Sequence, residues 1–216
     1  MGAIARSAAN LITTSGVVLK GAVNNDSFDN VTALPSSFGD GITLISSQTA
    51  SNSASISFTS GLTSTYKAYK FVFSSIHVRN DVQSFQFNLS TDSGSNYNVT
   101  KTSTMFRAYH DEADTATAVE YQGSWDLAQS TSNATLSEDN GNGADESASG
   151  TLIIFNPSST TYVKHWISDF NVYHNANYTV RNCGAGYGNT TSAINAVRFL
   201  AASGNFDGTI YLYGIK

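Results

Sequence analysis

From residue 53 onward, apolar and polar side chains alternate along the chain with a period of two. Ser84-Phe85-Gln86-Phe87-Asn88-Leu89 is the sharpest case, and Ser55-Ile56-Ser57-Phe58-Thr59 and Tyr69-Lys70-Phe71-Val72-Phe73 repeat it. An extended chain sends successive side chains to opposite faces, so this spacing gathers Phe85, Phe87 and Leu89 on one face of a strand. Further strands are predicted over residues 105–109, 121–127, 151–155, 163–173, 178–183, 196–201 and 209–213. Turn residues such as Ser60-Gly61 and Asp92-Ser93-Gly94 punctuate the runs. Many short strands with almost no helical period predict an all-β chain, an antiparallel β-sandwich or jelly roll. Its expected core holds Ile56, Phe58, Phe71, Phe73, Phe85, Phe87, Leu89, Ile210 and Leu212. Tyr211 and Tyr213 fall on the opposite face of the last strand, which is expected to be covered as well.

Residues 1–50 break this pattern. Residues 3–12 suit one short helix with Ile4, Ala8, Leu11 and Ile12 on a face, and Gly16-Val17-Val18-Leu19 suits an extended stretch. Pro35 and Gly39-Asp40-Gly41 interrupt the chain before Ile42-Thr43-Leu44-Ile45. The division expected is an N-terminal arm over 1–50 and a sandwich domain over 51–216. The apolar clusters of the arm are too small for a core of their own and need a partner surface, which makes the arm the expected anchor. Residues 128–149, rich in Ser, Asn, Asp and Gly, read as a polar surface loop with little to gain from burial.

Composition sharpens the picture. Charged residues are 12% of the 216, against about 25% in ordinary soluble proteins. Hydroxyls and amides must therefore solvate much of the surface, over an interior supplied by 12 Phe and 11 Tyr. A net charge of -5 with only 11 Lys and Arg excludes a nucleic-acid partner, which would call for a basic face. No apolar run approaches the roughly 20 residues of a membrane helix. The start of the chain lacks the basic flank and apolar run of a signal peptide, and Arg6 stands where a myristoylation motif needs Ser or Thr. Synthesis and assembly without export are expected. Cys183 is the single cysteine and reads as a small, partly buried hydrophobe.

Candidate chemistry is sparse. His110-Asp111-Glu112-Ala113-Asp114 is the densest set of metal-type ligands, with oxygens that suit calcium. The stretch 138–146 faintly resembles a calcium loop, yet Gly141 and Gly143 occupy positions where side-chain oxygens are required. Both read as solvated acidic loops. Gly184-Ala185-Gly186-Tyr187-Gly188 has the wrong spacing for a dinucleotide fingerprint and reads as a wide turn after a strand. No nucleophile elbow, zinc-protease motif or P-loop lysine is present. The chain is expected to work without catalysis, cofactor or metal. Trp166 alternates within a strand and reads as core. Trp125, in Gly123-Ser124-Trp125-Asp126, and Tyr187 are the candidate platforms on which a sugar ring would stack.

The C-terminal run resembles a known group. Ile194-Asn195-Ala196-Val197-Arg198-Phe199-Leu200, Ser203-Gly204-Asn205-Phe206 and Gly208-Thr209-Ile210-Tyr211-Leu212-Tyr213-Gly214-Ile215-Lys216 look like the closing hairpin of virion proteins of tailed bacteriophages, marine ones especially. Tyr66-Lys67-Ala68-Tyr69-Lys70-Phe71-Val72-Phe73 and Leu89-Ser90-Thr91-Asp92-Ser93-Gly94-Ser95-Asn96-Tyr97 resemble the same group. The resemblance covers roughly residues 50–100 and 150–216 and rests on strand and turn patterns, so it carries over no individual functional residue. It implies a virion structural protein, a capsid-decorating or connector/fibre subunit, forming a homo-oligomer, most simply a trimer. Its partners would be other capsid or tail proteins, and it would assemble in the host cytoplasm. A receptor-binding tail-fibre tip or a carbohydrate-binding module facing a host glycan is the alternative.

Overall fold

Thirteen antiparallel strands make up the regular structure of residues 41–216, the part of the chain described by the computed structural model; no helix occurs among them. They are β1 (Ile42–Ser53), β2 (Ile56–Phe58), β3 (Ala68–Val78), β4 (Gln83–Ser90), β5 (Lys101–Asp111), β6 (Thr117–Tyr121), β7 (Leu127–Ser130), β8 (Ala134–Asn140), β9 (Ala148–Phe155), β10 (Lys164–His174), β11 (Tyr178–Gly188), β12 (Ala196–Ala201) and β13 (Phe206–Ile215). The order β1-β13-β3-β9-β10-β11-β5 forms one broad layer, with β6 and β7 on the far edge of β5. The strands β8-β4-β12-β2 form the facing layer. The two layers join at a fork. β10 pairs with β11 along its whole length and with β8 through one pair, His174↔Asn140. At the other side Gln48 Nε2 donates to Ser57 O at 2.9 Å, bringing β1 to β2. The sandwich is thus nearly closed into a barrel.

The period-two faces meet as predicted. Phe71, Phe73, Leu152, Trp166, Phe170, Ile210 and Leu212 from the broad layer pack on Phe58, Phe85, Phe87, Leu89, Val197 and Phe199 of the facing layer. Of the expected core only Ile56 is less than fully buried, and it packs against the cluster. Most of the rings meet edge to face, an arrangement that their quadrupoles favour: Phe73 and Phe199 lie 5.0 Å apart at 78°, and Phe87 and Trp166 lie 5.0 Å apart at 86°.

Four expectations change. The proposed arm, with its helix and anchor, lies outside the described residues up to Asp40, but residues 42–50 belong to strand β1, paired with β13. β1 is an edge strand rich in hydroxyls with one exposed face, so its alternation was faint. The expected strand over 121–127 is instead a turn, closed by Trp125 N–H donating to Gln122 O at 3.1 Å, with strands on either side. The expected polar loop over 128–149 contains a central strand. In β8, Ala134, Leu136, Ser137, Glu138 and Asn140 are all buried. Its polar groups tolerate this because most have partners: Ser137 Oγ donates to Asn140 Oδ1 (3.0 Å), Asn140 Nδ2 to Gln83 O (2.6 Å), and Arg107 Nη1 to Glu138 Oε1 (2.6 Å). Finally, Gly184 to Gly188 continue β11 rather than turning. The three glycines face inward. Trp166 lies over Gly184 and Gly186, where a Cβ on Gly186 would come within 2.8 Å of the indole and 2.5 Å of Thr102 O, while Gly188 is crowded by Val99 and Leu89. A period of two is present here, with hydrogen as the inward side chain.

Lys101 and Lys164 flank Gly188 in register, Lys101↔Gly188↔Lys164, and both are fully buried. Lys101 Nζ donates to Asn88 Oδ1 at 2.6 Å and Val99 O at 2.7 Å, both neutral. Burial pushes its pKa down to about 8, and burial lowers that of Lys164 as well. The folded state therefore gives up the proton more readily than the unfolded chain does. Below about pH 8 both states hold the proton and the burial cost is present in full. As pH rises from about 8 towards 10.5 the folded state releases its proton first, so stability should rise, by about 1 kcal/mol at pH 9 and about 3 in all. Cys183, whose thiol burial pushes up, acts in the opposite sense above 9.0. Denaturant unfolding between about pH 7 and 9 should show the rise, and Lys101→Met should reduce its slope. An unchanged slope in that variant would remove Lys101 as the source.

Candidate functional site

The fork leaves an open mouth between the layers. β5 contributes Arg107 and Tyr109, β11 Tyr178 and Val180, β10 His174 and β8 Asp139, around a cavity of about 310 Å³. The alternation that builds the core also places these groups, since Tyr109↔Val180 and Tyr178↔His174 are register pairs whose side chains share one face. Tyr109 meets Tyr178 at 5.5 Å and 75°, and Tyr178 meets His174 at 5.6 Å and 77°. The guanidinium of Arg107 sits 4.9 Å over the Tyr109 ring. His174 Nε2 lies 3.7 Å from Asp139 Oδ2.

The charge of Arg107 is matched from within. Nη1 donates to Glu138 Oε1 at 2.6 Å, while Nε and Nη2 donate to Glu120 Oε2 at 3.1 and 3.0 Å. Burial opposes the charge, and the bonds to Glu138 and Glu120 overcome it, leaving the Arg107 pKa raised. In the same cluster, Glu138 Oε2 and Asn182 Nδ2 are buried without a hydrogen-bond partner among the described residues.

A second cavity of about 330 Å³ opens on the outward face at the same end of the sheet, where Tyr173↔Thr179↔His110 are in register, and Tyr178 borders both. Its rim carries His110, Glu112, Asp145, Asn171 and Thr179. Tyr173 donates its hydroxyl to Glu112 Oε1 at 3.0 Å, which raises the Tyr173 pKa.

The acidic stretches are engaged in local structure. Asp111 Oδ1 accepts from Thr115 N and Ala116 N, each at 2.8 Å, and the Thr115 hydroxyl lowers the Asp111 pKa most. His110 Nε2 lies 3.0 Å from Asp114 Oδ1. In the stretch 138–146, Glu138 points into the protein and Glu146 Oε2 accepts from Gly143 N at 2.6 Å. Among the described residues, no three His, Cys, Asp or Glu side chains are grouped as a metal ion requires.

The two predicted platforms stand apart from the mouth. Tyr187 lies half-buried on the outward face of β11, 6.1 Å from His165, and walls a shallow apolar groove floored by Ala185 and flanked by Thr104 and Ile167. Trp125, in the turn between β6 and β7, is not part of that groove. The mouth was missed because its rings come from strands distant in sequence. One signal was present: the dipeptide Tyr-His occurs twice, at Tyr109-His110 and Tyr173-His174, each at the end of a strand. The chain matches no protein-family model, no curated protein and no solved structure.

Proposed function

We propose that the chain is a structural protein of a bacteriophage particle surface, a capsid-decorating or connector/fibre subunit that assembles with copies of itself. One observation carries the self-assembly part of this reading. On the outward face of the broad layer a single row runs across seven strands in register, Leu44↔Tyr213↔Lys70↔Ile153↔Ile167↔Ala185↔Thr104. Lys70 is the only charged residue in that row. Leu44 is 54% exposed and Ile167 46%, with Ile42 and Phe155 exposed alongside. Contiguous exposed apolar surface on a sheet face marks a contact with another protein. A second copy of the chain is the occupant that an expected homotrimer supplies.

Light scattering should find an oligomer, and Ile153→Asp with Ile167→Asp should yield folded monomers. A wild-type protein that stays monomeric at every concentration would defeat the self-assembly reading. Mass spectrometry of purified particles should find the protein at a fixed copy number; its absence from particles would defeat the virion assignment. The tail-fibre-tip or carbohydrate-binding alternative is favoured by the aromatic mouth at Tyr178.

A further inference from the structure

We propose that the mouth between β5, β8, β10 and β11 binds a neutral oligosaccharide, one ring of which enters the cavity against Tyr178. The site is read from the domain itself and does not rest on the virion assignment. Its chemistry is that of a polyol pocket. Tyr109, Tyr178 and His174 stand edge to face in a row, giving a rim with apolar faces for the C–H surfaces of a pyranose. Sugar hydroxyls both donate and accept, and the walls offer both functions: Asp139 accepts, the Tyr178 hydroxyl does either, and His174, whose Nδ1 accepts from Ala176 N, leaves Nε2 on the Asp139 side. A cavity of about 310 Å³ with one side open suits a terminal ring whose neighbours stay in solvent.

Charge narrows the class. Among the described residues Arg107 is the one cation with a permanent charge at the mouth, and two glutamates already hold it. Asp139 lines the cavity, so a sialylated, sulfated or phosphorylated chain meets repulsion. A basic peptide is less well served. Of the other rim acids, Glu112 accepts from Tyr173 and Asp111 caps its own turn.

The test is a glycan array carrying neutral hexose and N-acetylhexosamine oligosaccharides beside sialylated and sulfated ones. Affinities of the hits are then measured by calorimetry at low and high salt. Neutral chains should bind with little dependence on salt. Tyr178→Ala should weaken binding by about tenfold or more, and Asp139→Asn should weaken it several-fold. Tyr187→Ala, in the separate outward groove, should leave affinity unchanged. Melting curves establish that each variant is folded; should Tyr178→Ala fail to fold, Asp139→Asn decides. The proposal is overturned if no neutral oligosaccharide binds, if only anionic chains bind, or if Tyr187→Ala rather than the mouth variants abolishes binding. Unchanged affinity in folded Asp139→Asn and Tyr178→Ala overturns it as well. Salt-sensitive capture of a lysine-rich peptide, without sugar binding, would replace it with a peptide site.

Discussion

Replacing Phe199 by alanine should destabilise the protein by about 3–5 kcal/mol. The ring is fully buried in β12 and touches four others: Phe58 at 6.1 Å, Phe71 at 5.0 Å, Phe73 at 5.0 Å and Phe85 at 6.4 Å. Two of these, Phe71 and Phe73, belong to the opposite layer, so the substitution opens a cavity at the place where the layers hold together. Rigid strands on both sides limit collapse into the space, which puts the cost in the upper part of the range for large-to-small changes. Domains of this kind have about 5–15 kcal/mol in total, so the variant should lie near the edge of folding. Urea unfolding should show a much lower midpoint with an unchanged slope. Val119→Ala, at a side chain 76% exposed, should differ from wild type by no more than about 0.5 kcal/mol. Similar midpoints for the two variants would mean that the aromatic cluster is not the core.

Removing Arg107 should cost a comparable amount, for a different reason. Glu138 is completely buried; among the described residues Arg107 Nη1 supplies its one side-chain ion pair, and Glu138 Oε2 already lacks a hydrogen-bond partner. Arg107→Ala leaves that carboxylate in a low-dielectric interior with nothing to balance it, a change that typically costs about 3–5 kcal/mol. Glu138→Gln in the same background should restore part of the loss, because a neutral amide is cheaper to bury than an isolated charge. The double variant should therefore be more stable than Arg107→Ala alone, a coupling that a double-mutant cycle measures directly. Additive losses would show that the two groups do not depend on each other.

Strands with one face in the core were legible because the sequence itself displays their alternation: Phe85, Phe87 and Leu89 cannot be arranged otherwise without exposing three large apolar groups. β8 was not. Its inward groups include Ser137 and Asn140, and their burial is made tolerable by partners on β8 and β4 that no single stretch of sequence reveals. The glycine run of β11 misled for a related reason. Glycine was read as a turn signal, whereas the determining fact is the Trp166 indole on the neighbouring strand. The Tyr178 mouth has the same character. Each contributing strand carries one or two of its residues, and only the fork at His174↔Asn140 brings them together. Tyr187, read as a platform for a sugar ring, lies half-buried, and its neighbours make an apolar groove.

The place of β13 has a consequence for how the chain comes off the ribosome. Residues 206–215 lie between β1 and β3, pairing with both. Until they have been made, the two earlier strands each present a free edge of unpaired N–H and C=O groups, and the broad layer is split. Open edges of this kind pair readily with other chains. Closing them late requires contacts between segments far apart in sequence, which is slow. Folding to completion must therefore follow synthesis of the last strand, and nascent chains will depend on dilution or chaperones to stay apart. Slower translation should help this protein little, whereas lower temperature or a holding chaperone should raise its soluble yield.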